Sequence, residues 1–497
     1  MLSLEWLSEY DVIMKLKNII QHLNIISMTA DPETDISGIC YDSRKTEKNN
    51  IFVAVRGMSS DGHAFIPSAV KRGASVVVCE EAYESDAPYI LVEDSRLALA
   101  LISAAWFDFP AKKMHIIGVT GTSGKTTTTH LIRHVLKTIL HAKVGMIGTN
   151  GNYIGEEYIH TDFTTPDSYE LQKLFNKMYN SGCSYVVMEV SSHSLALERV
   201  AGIRFDIAAF TNLSQDHLDF HSTMEEYARA KKKIFSMCSI ACINMDDPYA
   251  HYMTEGIKCS VLTSSAFGKQ ADLTARNISL SENGVSFLAC YKNTQTEVKL
   301  SIPGMFSVHN ALTALSVCMM AGIEPKSIAE ALSSAEGVKG RAETVPVDKD
   351  FAVIIDYSHK PDALENILKT LRPITKGRLI CLFGCGGDRD KEKRPIMGKV
   401  AARNADVVVV TSDNPRTERP EDIINEIIAG MKDEGTEYHV IIDRIEAIHW
   451  ALDNAVHGDV ILLAGKGHED YQIVGHEKHH MDEREIVAEY LNEKDKV

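Results

Sequence analysis

Short apolar runs alternate with amphipathic helical stretches along the middle of this chain, from residue 114 to about residue 338. The apolar runs have the length of buried strands, and helical segments between several of them give the βαβ pattern of a mostly parallel sheet. These predicted strands span residues 115–120, 144–147, 185–190, 207–211 and 241–245. The pattern therefore predicts an α/β fold in which polar residues at strand ends gather at one edge of the sheet.

Two further α/β series flank the central one. Their predicted strands span residues 51–55, 75–79, 89–92, 352–356, 379–383, 407–411 and 460–464. Since 497 residues suffice for three domains of typical size, we predict a smaller N-terminal α/β domain over 1–110. A central P-loop-type domain with helices on both faces of its sheet is predicted over 111–339, and a Rossmann-like C-terminal α/β domain over 340–497.

Composition indicates an ordinary soluble globular protein. The chain is 44% hydrophobic and carries a formal net charge of −16, which argues against a nucleic-acid partner held through its phosphates. Its apolar runs are too short to span a membrane, and Glu5, Glu9 and Asp11 interrupt the N-terminal apolar residues, so neither membrane insertion nor a signal peptide is expected. Ten cysteines without a paired CxxC framework indicate free thiols in a reducing cytoplasm.

A glycine-rich turn follows the strand at 115–120 and opens a helix predicted over 128–140. Such a turn directs backbone N–H groups and a helix N-terminus at one point, which suits a phosphate group. Lys125 can reach the β- and γ-phosphates, and the Thr126 hydroxyl can bind the accompanying Mg²⁺. A glycine turn with an incidental lysine is the alternative, but every required residue type stands in the required order. The predicted nucleoside-triphosphate loop is Gly121-Thr122-Ser123-Gly124-Lys125-Thr126-Thr127.

Candidate metal ligands follow the predicted strands at 185–190 and 207–211. Glu189 lies at the end of the first strand, and His217 comes shortly after the second. Carboxylates are preferred ligands of Mg²⁺, and a histidine can serve as a further ligand. Each residue alone could be a cap at a strand end, but their position after a phosphate loop favours a metal site.

A lysine lies in the apolar stripe of the helix that follows His221. At 100° per residue the stripe contains Met224, Tyr227, Ala228, Ile234 and Phe235. Lys231 lies in the middle of this stripe, whereas Lys232 and Lys233 lie outside it. An inward-facing lysine needs a partner or an altered chemical state, unless its amine snorkels to water. Because the same helix follows a candidate metal ligand, we expect Lys231 to belong to the site.

Two further segments are candidates for contacts with the nucleotide. His309 and Asn310 precede an alanine-rich helix predicted over 311–322, with Asn310 near its N-cap. Arg341 follows Gly340 at the proposed hinge, where its cation could reach a transferring phosphoryl group. Each segment alone could equally be an ordinary helix start or turn.

The strand ends of the last region also carry polar groups. Arg389 and Arg416 offer planar forks suited to carboxylates, and Glu469 suits an ammonium group, so together they would hold an amino acid. Surface ion pairing is the alternative for any single arginine. The glycine run at 384–387 does not match the dinucleotide fingerprint, so a second cofactor is not supported.

These motifs together resemble those of the Mur ligases, the ATP-dependent amide-forming enzymes of peptidoglycan precursor synthesis. The likeness runs from Asp42-Ser43-Arg44 to the run at 465–469, nearly the full length of the chain. It implies a uridine-diphosphate-binding N-terminal domain, and ATP with two Mg²⁺ ions on the central domain. The residues that it assigns to ATP are the phosphate loop with His309, Asn310 and Asp356. The residues that it assigns to the UDP-linked peptide are Ser43, Thr164, Thr165, Ser191 and Arg199.

The resemblance also implies that Lys231 is carbamylated. Captured CO₂ would convert its ammonium group into an anion, which would join Thr126, Glu189 and His217 in holding Mg²⁺. The implied catalytic residues are Lys125, His217, Lys231 and Arg341.

The run Asp413-Asn414-Pro415-Arg416 resembles that of the meso-diaminopimelate-adding members of the family. Diaminopimelate carries an extra carboxylate at its far end, which Arg389 and Arg416 can bind. Gly465 and Glu469 complete the implied contacts with the amino acid. In the implied reaction, the D-glutamyl γ-carboxylate of UDP-N-acetylmuramoyl-L-alanyl-D-glutamate takes the γ-phosphoryl group of ATP, and an amine of meso-diaminopimelate then displaces phosphate. We expect the protein to be a cytoplasmic monomer, with these small molecules as its partners.

Other interpretations stay open at this point. The amino acid could be L-lysine or another diamino acid, and the chain could be a different Mur-type ligase or a folylpolyglutamate synthase. A non-catalytic nucleotide-binding protein and a simple kinase are alternatives from other classes. The chain departs from the usual family pattern at Ser123, Leu197 and Lys360, where Asn, Gln and Thr respectively occur in other members.

Overall fold

The computed structural model of the chain describes residues 13–57, 60–82, 87–161, 163–281 and 284–494. The N-terminal charges on which the prediction about a signal peptide rests lie outside these residues. The described chain forms three main sheets of five, eleven and six strands, each belonging to one of the three predicted regions. Among the described residues, no helix is both long and apolar enough to cross a bilayer.

The first unit contains the five-stranded sheet. Its strands are β1 (Met14–Lys15), β2 (Ile25–Met28), β3 (Asp35–Ile36), β4 (Gly38–Cys40), β5 (Asn50–Val53), β6 (Val76–Cys79) and β7 (Tyr89–Val92). Its helices are α1 (Leu16–Ile20), α2 (Ile66–Arg72) and α3 (Ser95–Trp106). The sheet order is β2-β7-β6-β5-β4, parallel except for β2, and β1 pairs separately with β3.

The central unit contains the eleven-stranded sheet. Its strands are β8 (His115–Thr120), β9 (Val144–Ile147), β10 (Asn152–Ile154), β11 (Glu157–Ile159), β12 (Tyr185–Glu189), β13 (Phe205–Phe210), β14 (Cys238–Asn244), β15 (Ser260–Ser265), β16 (Leu273–Ser281), β17 (Gly284–Tyr291) and β18 (Thr294–Leu300). Its helices are α4 (Lys125–Leu140), α5 (Ser168–Asn180), α6 (Ser192–Ala196), α7 (Leu218–His221), α8 (Met224–Lys232), α9 (Ala250–Thr254), α10 (Met305–Met320) and α11 (Pro325–Ser333).

The middle of this sheet is parallel, and both of its edges are antiparallel. The order is β11-β10-β9-β12-β8-β13-β14-β15-β16-β17-β18, with parallel pairing from β9 to β16. The chain leaves β8 to one side and later returns to its other side, so the turn after β8 lies where the strand order reverses. The prediction of a mostly parallel sheet is confirmed. That prediction did not include the antiparallel strands at the two edges.

Alternation of side chains along β8 explains why helices cover both faces of the central sheet. Ile117 and Val119 pack on one face with Leu131 of α4, and Ile116 packs on the other with Phe175 of α5. Each fully buried side chain of this kind contributes about 1.5–3 kcal/mol relative to exposure. The cores on the two faces therefore fix β8 and the turn that follows it.

The third unit contains the six-stranded sheet and a hairpin. Its strands are β19 (Glu343–Val345), β20 (Ala352–Asp356), β21 (Leu379–Phe383), β22 (Val407–Val410), β23 (Glu437–Val440), β24 (Val460–Ala464), β25 (Tyr471–Val474) and β26 (Glu477–His480). Its helices are α12 (Pro361–Leu371), α13 (Lys393–Asn404), α14 (Pro420–Ala429), α15 (Arg444–Asn454) and α16 (Glu483–Lys494). The sheet order is β19-β20-β24-β21-β22-β23, parallel from β20 onward.

Sequence pattern accounts for the elements of this third unit. The four valines of β22 are all buried, as a strand covered on both faces requires. Helix α12 begins with Pro361 at its first turn and buries an i, i+3, i+4, i+7 stripe. That stripe consists of Leu364, Ile367, Leu368 and Leu371. The parallel strands therefore end together, and the loops that carry the polar runs lie at one edge.

Candidate functional site

The turn after β8 forms a backbone cradle that requires glycine at two positions. Gly121 and Gly124 have φ of +152° and +81°, a region that residues with a side chain rarely adopt. A Cβ atom at Gly121 would overlap the Thr211 hydroxyl, and one at Gly124 would overlap the Asn310 amide. The Thr122 and Ser123 N–H groups donate to Asn212 at 2.9 Å each, which holds the turn in place, and the N–H groups of the first turn of α4 are available for an anion.

Lys125 is folded back over this turn. Its Nζ donates to the carbonyls of Gly121 at 2.9 Å and Thr122 at 2.8 Å. Burial lowers the pKa of its amine. Both carbonyls belong to the predicted phosphate loop, so the lysine is already placed where a phosphate would replace them as its partner.

Glu189 is a buried carboxylate at the carboxyl end of β12, with 1% of its surface exposed. The Thr126 hydroxyl donates to its Oε2 at 3.1 Å, which brings two of the predicted metal ligands together. Thr149 also contacts it, through its N–H at 2.8 Å and its hydroxyl at 3.2 Å. Thr149 could not be predicted as a contact of Glu189, because only the parallel pairing of β9 with β12 brings it there.

His217 lies in the loop between β13 and α7, in a left-handed conformation with φ of +54°. Its ring contacts those of His193 and Tyr227, with centroids 4.8 and 6.1 Å apart. Burial lowers the pKa of His217 to about 4, so the imidazole is neutral near pH 7 and retains a lone pair for a metal ion.

Lys231 is buried in the apolar stripe of α8, with 1% of its surface exposed. Its Nζ donates to Gly121 O at 2.8 Å and lies 4.6 Å from the centroid of the Tyr227 ring. Burial holds the pKa of its amine well below the usual value. The predicted inward position is confirmed, and the snorkelling alternative is wrong because the amine contacts the phosphate turn instead of water.

The donor set around the phosphate turn fits a magnesium ion that shares its coordination with substrate. Within the described ranges, no group of three or more His, Cys, Asp and Glu side chains is arranged as a metal cage. Mg²⁺ does not require such a cage, since it keeps several waters and uses one or two carboxylates together with phosphate oxygens. The Thr126 hydroxyl beside the Glu189 carboxylate is a donor pair of that kind.

Helix α10 faces the phosphate turn, but Asn310 is not at its N-terminus. The helix begins at Met305 with Gly304 as its N-cap, so the predicted N-cap role of Asn310 is wrong. Small and apolar residues before Asn310 extend the helix, and Asn310 is buried where α10 packs on α4. The Thr128 hydroxyl donates to its Oδ1 at 3.4 Å. His309 lies on the same helix, with its Nδ1 3.5 Å from Asp246.

The segment after the central unit places Arg341 against the third sheet. Its guanidinium lies 5.2 Å from the centroid of the Tyr357 ring. The Ala342 N–H donates to Asp356 Oδ2 at 2.7 Å, and burial raises the pKa of Asp356. Among the described atoms, the buried Nε of Arg341 has no hydrogen-bond partner, so one donor of this arginine is free.

Four of the five residues assigned to the UDP-linked peptide lie together beside β12. The Thr165 hydroxyl donates to Glu189 O at 2.9 Å, and Arg199 donates to Thr165 O at 3.1 Å. Ser191 caps α6, and its N–H donates to the Thr165 hydroxyl at 3.2 Å. Thr164 contacts the Thr149 hydroxyl at 3.0 Å.

A cavity of about 380 Å³ lies between the first and central units. Its lining includes Tyr41, Arg96, Asp167, Leu197 and Arg199. Ser43, the fifth assigned residue, is buried in a 3₁₀ turn just after Tyr41 and does not line this cavity.

The predicted amino-acid site lies at the carboxyl ends of β21, β22 and β24. Arg416 has φ of +52° and donates from Nη1 to Gly387 O at 2.9 Å, which joins two of these loops. Arg389 lies in the first of them, with its Nη1 donating to Asp388 O at 3.0 Å. Neither guanidinium is paired here with a carboxylate closer than 4.0 Å among the described residues, so both remain free to bind one.

Asn414 and Glu469 meet at the centre of this cluster. The Asn414 amide donates to Glu469 Oε2 at 2.9 Å, and burial raises the pKa of Glu469. Asp413 and Asn414 are buried, and Pro415 follows them in the same loop. Gly465 has φ of +109°, which turns the chain at the end of β24 toward Glu469.

Three fully buried cations support these loops, and the sequence interpretation assigned none of them. Lys466 lies between Asn414 and Glu469, and Arg394 pairs with Glu418 at 2.9 Å. Arg444 donates to Ala464 O at 2.9 Å, at the end of β24. Lys466 stands inside the run at 465–469 that carries part of the family resemblance, so its role could have been predicted, whereas nothing in the sequence marks the two arginines as buried.

Comparison with known proteins defines the class. Three domain families match the chain, namely the Mur ligase family catalytic domain at 35–106, the Mur ligase middle domain at 119–318 and the Mur ligase glutamate ligase domain at 340–467. The chain belongs to the Mur ligase family of ATP-dependent amide-forming ligases, so the predicted family and fold class are confirmed.

Particular relatives are similar over almost the whole chain. The UDP-N-acetylmuramoyl-L-alanyl-D-glutamate–2,6-diaminopimelate ligase of Caldanaerobacter subterraneus subsp. tengcongensis is 49% identical, covering 94% of this chain and 97% of the relative. The ligase of the same name from Clostridioides difficile is 44% identical, covering 96% and 100%. A solved structure with this name has a TM-score of 0.73 at 31% identity, covering 97% of this chain and 100% of the other.

Proposed function

We propose that this chain joins meso-diaminopimelate to the D-glutamyl γ-carboxylate of UDP-N-acetylmuramoyl-L-alanyl-D-glutamate, with ATP as phosphoryl donor. One observation carries the proposal: the phosphate turn and the amino-acid cluster lie on two sheets whose polar edges meet across one cleft. Lys360 of the third unit and Asp216 of the central unit span that cleft at 2.7 Å. The names of the relatives at 44% and 49% identity support the choice of substrates.

ATP binds to the central unit in this proposal. Residues 121–127 surround the phosphates, with the N–H groups of the first turn of α4 as donors, and Lys125 exchanges its carbonyl partners for the β- and γ-phosphates. Asn310 against Gly124, together with His309 and Asp356, completes the proposed contacts. Arg341 neutralises charge on the phosphoryl group as it transfers, a role that its free Nε supports.

The proposed ligands of two Mg²⁺ ions are Thr126, Glu189, His217 and a carbamate on Lys231. Bound Mg²⁺ offsets the negative charge of the phosphates during transfer. The neutral His217 ring supports its assignment as a ligand. The low pKa of Lys231 favours its neutral amine, whose nitrogen lone pair attacks the carbon of CO₂ and releases one proton to leave a carbamate.

The third unit binds the incoming amino acid. Arg389 and Arg416 bind its carboxylates, and Glu469 binds the ammonium group that does not react. The remaining proposed contacts are Asp413, Asn414, Pro415 and Gly465. The other amine, in its neutral form, attacks the carbonyl of the acyl phosphate, so a C–N bond forms, the C–O bond to phosphate breaks and the amine proton leaves. Closure of the cleft excludes water, which would otherwise hydrolyse the acyl phosphate.

The UDP-linked peptide extends from the cleft toward the first unit. Thr164, Thr165, Ser191 and Arg199 lie between Glu189 and the cavity of about 380 Å³, so they are placed to contact the peptide while the cavity takes the nucleotide end. Ser43 contributes from the first unit after a local shift. This assignment divides the chain into domains at 1–110, 111–339 and 340–497, each with its own sheet.

We propose that the protein is a monomer in the cytoplasm. All ten cysteines are free thiols, which supports a reducing compartment. Its partners are the two small-molecule substrates and ATP, without nucleic acid or membrane insertion.

Phosphate release from ATP tests the function directly. Full-length protein with Mg²⁺, ATP and UDP-muramoyl dipeptide is given meso-diaminopimelate, L-lysine or no amino acid, and the amide product is identified by mass. We expect phosphate release with diaminopimelate to be about tenfold faster or more than with L-lysine or with no amino acid. A difference of this size corresponds to at least one charged contact that discriminates between the amino acids. Equal or faster release with L-lysine would reassign the acceptor, and release that is independent of any amino acid would contradict a ligase.

A further inference from the structure

Lys466 is a lysine without solvent exposure in the loop that follows β24. Its Nζ donates to Asn414 Oδ1 at 3.0 Å and to Tyr471 O at 2.7 Å. The same Nζ lies 3.3 Å from Asp413 Oδ1 and 3.5 Å from Glu469 Oε2. A buried ammonium group is expensive unless it is paired and hydrogen-bonded, and here it is surrounded by acceptors.

These contacts fix the orientation of the Asn414 amide. Its Oδ1 accepts hydrogen bonds from Lys466 Nζ at 3.0 Å and from the Ile473 N–H at 2.9 Å. An oxygen held by two donors leaves the amide NH₂ on the opposite side, and it donates there to Glu469 Oε2 at 2.9 Å. Lys466 therefore determines which end of Asn414 faces Glu469.

The same ammonium group lies between two carboxylates, the buried Asp413 and the half-buried Glu469. Burial is the largest influence on Glu469 and raises its pKa, while Lys466 lowers it and Asp413 raises it again. Burial and, in turn, the charge of Glu469 raise the pKa of Tyr357 and of Tyr471, which both face it. Without the lysine, Glu469 would face the Asp413 charge with no cation between them, and the pKa of Glu469 would rise further.

We infer that Lys466 is a positioning residue for the acceptor amino acid, because it holds Asn414 and keeps Glu469 an anion able to bind an ammonium group. This inference rests on the proposed function. Lys466 acts through Asn414 and Glu469, and its own amine is enclosed by protein acceptors instead of substrate.

The test compares Lys466→Met with Lys478→Met in the full-length enzyme. Lys478 is the matched control, because it is exposed and its Nζ lies 4.3 Å from the ring of the same Tyr471. KM values for meso-diaminopimelate, ATP and UDP-muramoyl dipeptide are measured at pH 7 and pH 8.5, with thermal unfolding of each variant. Lys466→Gln is the second variant, for use if the methionine variant does not fold. Its amide can still donate to Asn414.

We expect Lys466→Met to raise KM for diaminopimelate about tenfold or more at pH 7, because the buried Asn414 oxygen loses a donor and Glu469 loses its nearest cation. KM for ATP and for the dipeptide stays within twofold, and the excess over wild type shrinks at pH 8.5, because a higher pH favours the ionised form of Glu469. Lys466→Gln gives the same pH dependence with a smaller rise, and Lys478→Met matches wild type.

Two results would overturn the inference. One is a folded Lys466→Met or Lys466→Gln variant whose KM for diaminopimelate stays within twofold of wild type at both pH values. The other is an equal rise in KM for all three substrates, which indicates a merely structural role. Failure of the wild-type enzyme to use diaminopimelate at all would instead contradict the proposed function, so the two failures are distinguishable.

Discussion

Lys360 and Asp216 form an ion pair of 2.7 Å across the cleft between the central and third units. Asp216 directly precedes His217, and Lys360 is the N-cap of α12. Burial opposes ionisation of Asp216, but the hydrogen bond from Lys360 and its charge lower the pKa of that carboxyl overall. The pair therefore links the proposed metal site to the unit that carries the amino acid.

We predict that Lys360→Met weakens catalysis only mildly and removes part of its salt dependence. The pair is partly exposed, with 41% and 22% of the two side chains accessible, and such pairs contribute about 1 kcal/mol or less, or up to fivefold in kcat/KM. The measurement is kcat/KM for ATP at low and high KCl. Lys369→Met is the control, because it breaks the Lys369–Glu365 pair on the outer face of the same helix. An unaltered salt response in Lys360→Met would contradict the link.

Lys231→Ala should be almost inactive while remaining folded. Loss of the amine removes the site of the proposed carbamate, and we expect a fall in kcat of roughly 100-fold or more, as for loss of a metal ligand. A small carboxylate such as acetate should restore part of the activity by filling the space. The measurement is phosphate release with and without added acetate.

Lys232→Ala is the matched control for Lys231→Ala. Its amine lies over the Tyr252 ring at 4.4 Å, on another side of α8, and near-normal activity is expected. Incubation of the wild-type protein with ¹³C-bicarbonate should give a carbamate signal that Lys231→Ala lacks. Wild-type activity in Lys231→Ala, or the same signal in both proteins, would rule out the carbamate.

Arg416→Ala should lose affinity for diaminopimelate far more than for ATP. Removal of one partner from an enclosed charge pair costs about 2–5 kcal/mol, so KM for diaminopimelate should rise roughly 30-fold or more. Arg416→Lys should recover little, because a lysine lacks the planar fork and must adopt the φ of +52° as well. Arg419→Ala is the control, since Arg419 is 75% exposed beside Glu421. Unchanged KM for diaminopimelate in Arg416→Ala would refute the assignment.

Acid should destabilise the protein between pH 6.5 and about pH 4 through its buried histidines. Burial lowers the pKa of His130 from 6.5 to about 4, and its Nε2 has no hydrogen-bond partner among the described atoms. Over that window the unfolded chain binds more protons than the folded one, so stability falls as pH decreases and levels off below the folded pKa. His130→Gln should show a smaller decrease in the urea midpoint from pH 7 to pH 4.5. An identical decrease would assign the effect to other groups.

The strands and the phosphate turn could be predicted because their signals are local. Apolar runs such as the one at 407–411 are long enough to be strands, and the glycines at 121 and 124 mark a turn that only glycine can form. The inward position of Lys231 followed from helical periodicity alone. Each of these features depends on residues that are neighbours along the chain.

What could not be predicted depends on contacts between distant segments. The sequence predicts an N-cap at Asn310, because a polar residue that precedes alanines is typical of a helix start. The helix in fact already includes Met305 and Phe306. Thr149 reaches Glu189 only through strand pairing. Strands β16 and β18 mix polar and apolar residues without an apolar run, and the apolar run at 287–291 in β17 does not by itself indicate an antiparallel pairing.

The close packing of Gly340 on Gly467 has a consequence for the order of events in the proposed reaction. A side chain at Gly340 would overlap the backbone of Gly467, and the Tyr357 N–H donates to Gly340 O at 2.9 Å, so the segment with Arg341 belongs to the third unit. The preceding Lys339 contacts both units, because its carbonyl accepts from Asn150 of the central unit at 2.8 Å and its Nζ donates to Asp482 of the third unit at 3.2 Å. We therefore expect Arg341 and the loop with Glu469 to approach ATP together in the proposed reaction, which would couple phosphoryl transfer to the binding of the acceptor amino acid.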